Sequence, residues 1–258
     1  MLNKKFLPIL ILLSIFSCDT PKAKHNSLLD VEEIPECKIM IILGDDRSGS
    51  SESIQKLNKE DYKTIVDVIN QNGSGYFTST IIGNPAPNSK EIFRLKVSAL
   101  KPYKNILTSE HPTLSEQAKQ KKHNDKVKAK NEKIKKKNES KLNSFLSKTV
   151  QNSIVNYKPY KGKDITNIDL AFGHINKLLK EPNVDDYDKI MVVLFTDGVN
   201  EPRRSGKIEK IKTTLALPDN AELFLIGWKD TSIFEGLELN EFEGKEGFFS
   251  YIEDFECL

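Results

Sequence analysis

Two short runs of this 258-residue chain are apolar at every position: Ile39-Met40-Ile41-Ile42-Leu43 and Ile190-Met191-Val192-Val193-Leu194-Phe195. A strand turns alternate side chains to opposite faces. An unbroken apolar run therefore fits a strand covered on both sides, as in a parallel sheet between helix layers. Each run ends abruptly in polar chemistry. Asp46-Arg47-Ser48-Gly49-Ser50 follows the first and Thr196-Asp197-Gly198 the second. Between them, Thr166 stands in Asp164-Ile165-Thr166-Asn167, at the start of an amphipathic stretch.

The remaining periodicities place these runs in an alternating architecture. Tyr62, Ile65, Val66 and Ile69 recur at helical spacing over Asn58–Asn70, with Gly73 and Gly75 as stops. Gly75–Gly83 and Glu91–Ser98 read as strands around a Pro-rich turn, hence an antiparallel pair at a sheet edge. Ile168, Ala171, Phe172, Ile175, Leu178 and Leu179 form a helix stripe. Asp188–Thr196 and Ala221–Trp228 are expected strands, Ser205–Leu215 a helix, and Phe248–Ile252 a short last strand. Strands alternating with helices imply an α/β fold with a doubly wound, mostly parallel central sheet. In such sheets ligands bind at the carboxyl ends of the strands, where both Asp motifs lie.

Asp46, Ser48, Ser50, Thr166 and Asp197 together form a set of two carboxylates and three hydroxyls. Few charged ligands, neutral hydroxyls and room for retained waters suit Mg²⁺, with Mn²⁺ or Ca²⁺ as alternatives. The order Asp-x-Ser-x-Ser, Thr, Thr-Asp-Gly, each Asp motif after an apolar strand, resembles the metal-ion-dependent adhesion site of von Willebrand factor type A domains. The resemblance covers residues 37–258. It implies direct metal contacts from Ser48 and Ser50, a direct or water-mediated one from Thr166, and mostly water-mediated ones from Asp46 and Asp197. It also implies an open coordination position for a Glu or Asp carboxylate of a protein partner. Read as local structure alone, Asp46 and Thr166 are a turn residue and a helix-start residue. Asp45 and Asp169 add carboxylates close by; at the site they would raise metal affinity or favour Ca²⁺, and Asp45 is otherwise expected to face solvent.

Hydrolytic chemistry finds little support. The metal loops offer no His or Cys, and His25, His111, His123 and His174 are scattered outside any ligand spacing. His174 reads as a surface or packing residue. Glu201 is placed as a base near the metal or, more simply, as a solvated loop acid. The expectation is a binding domain, not an enzyme.

The first 17 residues have the form of an export signal: Lys4 and Lys5, then the apolar stretch Phe6–Phe16, too short for a comfortable bilayer span. Ile15-Phe16-Ser17-Cys18 resembles a bacterial lipobox, which implies an acylated Cys18 after cleavage and a lipid anchor in the cell envelope. A plain secretory signal is the alternative. Residues 18–36 are then a polar tether, and Asp19 resembles an inner-membrane retention signal. With Cys18 lipidated, Cys37 and Cys257 remain, and in an oxidising compartment they read as one bridge closing the domain; two free thiols are the alternative.

Residues 114–150 break the composition, with 12 Lys against 4 acids. Without Pro or Gly, they read as one long helical insertion that docks through Leu142, Phe145 and Leu146. No sustained heptad and no repeat is apparent, which disfavours a coiled coil. The segment is either a solvated helix or an electrostatic arm for anionic lipid or another polyanion. Lysines without arginines or interleaved aromatics, in a nearly neutral chain, argue against specific nucleic-acid reading. The functional expectation is a membrane-anchored, metal-dependent protein-binding domain; a scaffold subunit with a structural or vestigial metal site is the alternative.

Overall fold

The computed structural model describes residues 36–48, 56–85, 90–107, 112–202 and 207–257. Ser50, Cys18, the expected signal 1–17 and nearly all of the tether lie outside them. Six strands form one sheet: β1 (Cys37–Asp46), β2 (Gly73–Ile82), β3 (Ile92–Val97), β4 (Lys189–Phe195), β5 (Ala221–Ile226) and β6 (Leu239–Phe242), in the order β3-β2-β1-β4-β5-β6. All neighbours are parallel except β2 and β3, the antiparallel edge pair. The chain winds outward from β1 in one direction and from β4 in the other. The crevice between their carboxyl ends is the point at which the strand order reverses.

Helices cover both faces, as the apolar runs require. On one face Ile39, Ile41 and Leu43 of β1 meet α1 (Lys59–Asn72) and α4 (Lys245–Glu253). The π-wound helix Phe145–Val155 packs there too, through Phe145, Leu146, Val150 and Ile154. On the other, Met40 and Ile42 with Val192, Leu194, Leu223 and Leu225 meet α3 (Ile168–Leu178). Complete burial of such side chains contributes roughly 1.5–3 kcal/mol each. Asn58 caps α1 with a full capping box, its side chain accepting from Glu60 and Asp61 N–H while the Asp61 carboxylate accepts from Asn58 N–H. Cys37 and Cys257 form a disulfide with Cα atoms 6.2 Å apart. Among the described residues no helix is long and apolar enough to cross a membrane.

Two expected elements are different in the structure. Residues 207–215 are not helical. They run extended beside α3, where two side chains one heptad apart serve as hydrogen-bond partners. Asp169 accepts from Lys212 and Thr213 N–H at 2.8 and 2.7 Å, and Asn176 accepts from Ala216 N–H while donating to Thr214 C=O. Local helical spacing lost to these tertiary partners. Phe248–Ile252 belongs to helix α4, not to a strand: Phe248 and Ile252, one turn apart, are buried on the sheet. The last strand is β6, and Cys257 therefore follows a helix.

The insertion is helical from its start. Helix α2 (Leu114–Ser144) opens with a capping box of Thr113 and Glu116 and runs directly into the π-wound segment. It does carry a heptad, a polar one: Lys121, Lys128 and Lys135; Asn124, Asn131 and Asn138; Asp125, Glu132 and Glu139; Val127 and Ile134. Its partner is an extended chain, residues 98–107, not a second helix. Asn138 accepts from Ser98 N–H (3.1 Å) and donates to Ser98 C=O (2.9 Å). Asn131 does the same for Lys101 at 2.7 and 3.0 Å. Gln120 accepts from Ile106 N–H and donates to Lys104 C=O. Primary amides thus take the place of a neighbouring strand's peptide groups.

Candidate functional site

Period-two alternation along β1 decides which carboxylate enters the site. Met40, Ile42, Gly44 and Asp46 face the α3 layer; Ile39, Ile41, Leu43 and Asp45 face the α1 layer. On β4, Val192 and Leu194 face α3, so Thr196 projects on the same side as Asp46. The two side chains meet across the switch point, Thr196 Oγ1 donating to Asp46 Oδ2 at 2.7 Å. The other Asp46 oxygen accepts from Ser48 N–H at 2.9 Å and Ser48 Oγ at 2.7 Å. Ser48 Oγ in turn accepts from Thr166 Oγ1 at 2.7 Å.

Thr166 is brought in by its backbone. Glu201 N–H donates to Thr166 C=O at 3.0 Å, and the two residues form an isolated antiparallel bridge. Asn200 accepts from Ile168 N–H at 3.0 Å and donates to Asp169 at 3.0 Å, which locks the loop after β4 onto the start of α3. Asp197 accepts from Val199 N–H, and its other oxygen is 3.7 Å from Lys229 Nζ. Gly198 turns the chain away with φ 76°; a Cβ there would lie 2.7 Å from the Trp228 ring. Glycine is required at that position on both counts.

Asp46 and Asp197 are each only 3 % exposed. Burial raises the Asp46 carboxyl to about 6, against the hydrogen bonds from Ser48 and Thr196, and the Asp197 charge pushes in the same direction as burial. Such a group favours a nearby cation. Asp45 is absent from this site: it is 1 % exposed beneath α1, where it takes Arg47 Nη2 at 2.6 Å and Tyr62 OH at 2.5 Å. The expectation that it faces solvent is thereby corrected. Burial raises its pKa even against the Arg47 charge. Arg47 also donates to Leu57 C=O at 2.7 Å, so the residue between Asp46 and Ser48 points inward and ties the loop to the α1 layer.

Of the five residues singled out in the sequence, Asp46, Ser48 and Thr166 are joined in one hydrogen-bonded chain. Asp197 stands near enough to raise the Asp46 pKa, and Ser50 lies outside the described residues. Asp169 holds the 207–217 segment rather than the site, and Glu201 contributes its backbone to the Thr166 bridge. His174 is a packing residue between Thr80 and Glu91. Sequence reasoning missed Thr196 and Asn200 as organisers. Alternation along β4 was the available signal for Thr196; Asn200 had none. Among the described residues no group of three or more His, Cys, Asp or Glu is arranged to hold a metal. The donor set here is instead two carboxylates with hydroxyls, which fits a hard, partly hydrated cation. Compared with protein-family models and with curated proteins, the sequence matches none.

Proposed function

We propose that this chain is a von Willebrand factor type A-like domain of an envelope lipoprotein, and that it binds a protein partner through a divalent metal, Mg²⁺ in the first instance. The observation that carries this reading is the chain Thr196–Asp46–Ser48–Thr166, which joins three separate loops at the strand-order reversal beside the buried Asp197. Asp46, Ser48, Thr166 and Asp197 would hold the ion, with Ser50 as a fifth ligand. Bound there, the metal supplies a positive centre with an exchangeable position for a carboxylate oxygen. The protein's part is to keep the hydroxyls oriented and the anionic ligands few, so that residual positive charge faces the partner's Glu or Asp.

The chemistry required is recognition. It needs no general base and no activated nucleophile. Crosslinking capture from envelope extracts tests the reading. A partner retained with Mg²⁺, and lost both with chelator and with Asp46→Ala, is the expected result. Capture indifferent to both treatments would overturn it. A scaffold role with a structural or vestigial metal site is the second reading. Its vestigial form is favoured by Lys229, whose ammonium can neutralise Asp197 without an ion.

A further inference from the structure

The heptad of α2 sorts its charges onto two flanks. Asp125, Glu132 and Glu139 each stand four residues after a lysine: Lys121, Lys128 and Lys135. At 3.6 residues per turn these six share one flank, where opposite charges alternate. Lys119, Lys122, Lys126, Lys130, Lys133 and Lys137 follow spacings of three and four along the other flank. Glu116 stands three residues before Lys119 and Asp125 three after Lys122, but no acid stands three or four residues from Lys126, Lys130, Lys133 or Lys137. All six lysines are exposed, while Gln120, Val127 and Asn131 are buried against residues 98–107.

The position of this stripe in the fold is equally specific. Strand β3 ends at Val97, paired with Gly75, which is paired with Ile39 beside Cys37. Ser98, next in the chain, meets Asn138, and the residues after it meet positions progressively nearer the start of α2. The helix ends at the opposite end of the sheet: Tyr157, just beyond it, lies against Gly83 after β2. The segment from Lys119 to Asn138, about 30 Å of helix, therefore lies on the side of the amino-terminal edge of the parallel strands. That is the edge at which the chain enters through Cys37, and it is opposite the Asp46–Ser48–Thr166 site.

We propose that the lysine stripe of α2 lies on an anionic phospholipid surface, at the end of the domain where the chain enters, so that the Asp46 site faces away from the membrane. The choice of surface rests partly on the reading of Cys18 as a lipid anchor. A tether of 18 residues, 19–36, reaches at most about 60 Å, so an anchored domain keeps this end near the bilayer. The chemistry agrees. Lysine ammonium groups act as point charges toward headgroups, and the stripe has no arginine fork and no aromatic on which a base could stack.

The mature chain carrying Cys18→Ser, and thus no lipid, is the protein for the test. Flotation with phosphatidylcholine vesicles, alone or mixed with phosphatidylglycerol, reads the partitioning. The wild-type stripe should bind only the mixed vesicles and release as salt rises. Lys126→Gln with Lys130→Gln should lower partitioning by more than about tenfold, at roughly fivefold per lysine. Lys121→Gln with Lys128→Gln, on the compensated flank, should lower it much less, with equal helix content by circular dichroism in both variants. Equal losses for the two pairs would overturn the stripe, as would binding to neutral vesicles or no binding to mixed ones. Retention on a sulfated polysaccharide with no vesicle binding would also overturn it. Stripe-dependent vesicle binding by a protein whose native Cys18 proves unmodified would support the stripe and retire the anchor, so the two readings fail separately.

Discussion

Asp45 and Asp46 are adjacent in sequence and serve opposite faces of the sheet: Asp45 is bonded to Arg47 and Tyr62 under α1, Asp46 to Ser48 and Thr196 under α3. The Asp45–Arg47 pair has side chains 1 % and 5 % exposed. Removing one member leaves the other charge buried without a partner, at a cost of about 3–5 kcal/mol. Arg47→Met and Asp45→Leu should each lower the urea midpoint strongly. The double variant should recover a large part of the loss, because it leaves no orphan charge. Additive losses in the double variant would show that the pair is not coupled.

Metal binding is expected at one site per chain. Titration calorimetry of the mature protein with Mg²⁺ or Mn²⁺ should give a single transition, absent in Asp46→Ala. Thr196→Val removes the donor that orients Asp46 without touching the proposed ligands. Its affinity should fall by roughly 10–100-fold, the scale of supporting hydrogen bonds at metal sites. No heat with either ion at millimolar concentration, and no rise in thermal midpoint, would end the metal reading.

The Cys37–Cys257 bridge spans 220 positions. It joins the start of β1 to the chain just after α4, at the end of the sheet away from Asp46. Chain-entropy estimates for loops of this size approach ~5 kcal/mol and measured gains are usually smaller. Reduction, or the double Cys→Ser variant, should therefore lower the thermal midpoint while leaving metal affinity unchanged. Two alkylatable thiols in the native protein under oxidising conditions would contradict the bridge.

Asp169 gives the domain an acid-sensitive strap. Burial opposes its ionisation, but the N–H groups of Thr213 and Lys212 outweigh burial and hold the carboxyl below its ordinary value of 3.8. A depressed carboxyl pKa contributes stability that is complete above the unfolded value and is lost as pH falls through the folded one. Amide protection factors at Lys212 and Thr213 should thus drop as pH falls below the ordinary carboxyl value of 3.8. In Asp169→Asn they should start lower and change less. Equal pH dependence in both proteins would assign the effect elsewhere.

These same residues mark where sequence reading stopped. The apolar runs of β1 and β4 revealed the doubly covered sheet because burial on both faces leaves a local trace. The edge pair β2–β3 was legible from its Pro-rich turn, and the closeness of Asp46, Ser48 and Thr166 from motif order. Residues 207–215 were not, because their conformation is set by Asp169 and Asn176, far away in sequence. The buried state of Asp45 depends on Arg47 folding inward to Leu57 C=O. The Asn heptad of α2 carries no apolar signal, because its seam is polar and its partner is extended chain rather than a second helix.

That seam supports the last prediction. Asn131 satisfies both the N–H and the C=O of Lys101, and Asn138 both groups of Ser98. Asn131 is itself buried, so water cannot simply replace its amide. Asn131→Leu keeps the size and raises helix propensity but leaves two peptide groups facing a hydrocarbon. The Lys101 groups are only part-buried, so the cost of leaving them unsatisfied lies below the about 1–3 kcal/mol of a fully buried polar group. The loss should be local: residues 98–107 should gain hydrogen exchange and protease sensitivity, while β1 and β4 amides stay protected. Asn131→Gln retains the amide on a longer stem and should restore part of the protection. A uniform rise in exchange across the sheet would instead mean that α2 is part of the domain's cooperative core. Protection unchanged in Asn131→Leu would mean that side-chain packing, not the amide ladder, holds the extended segment to the helix.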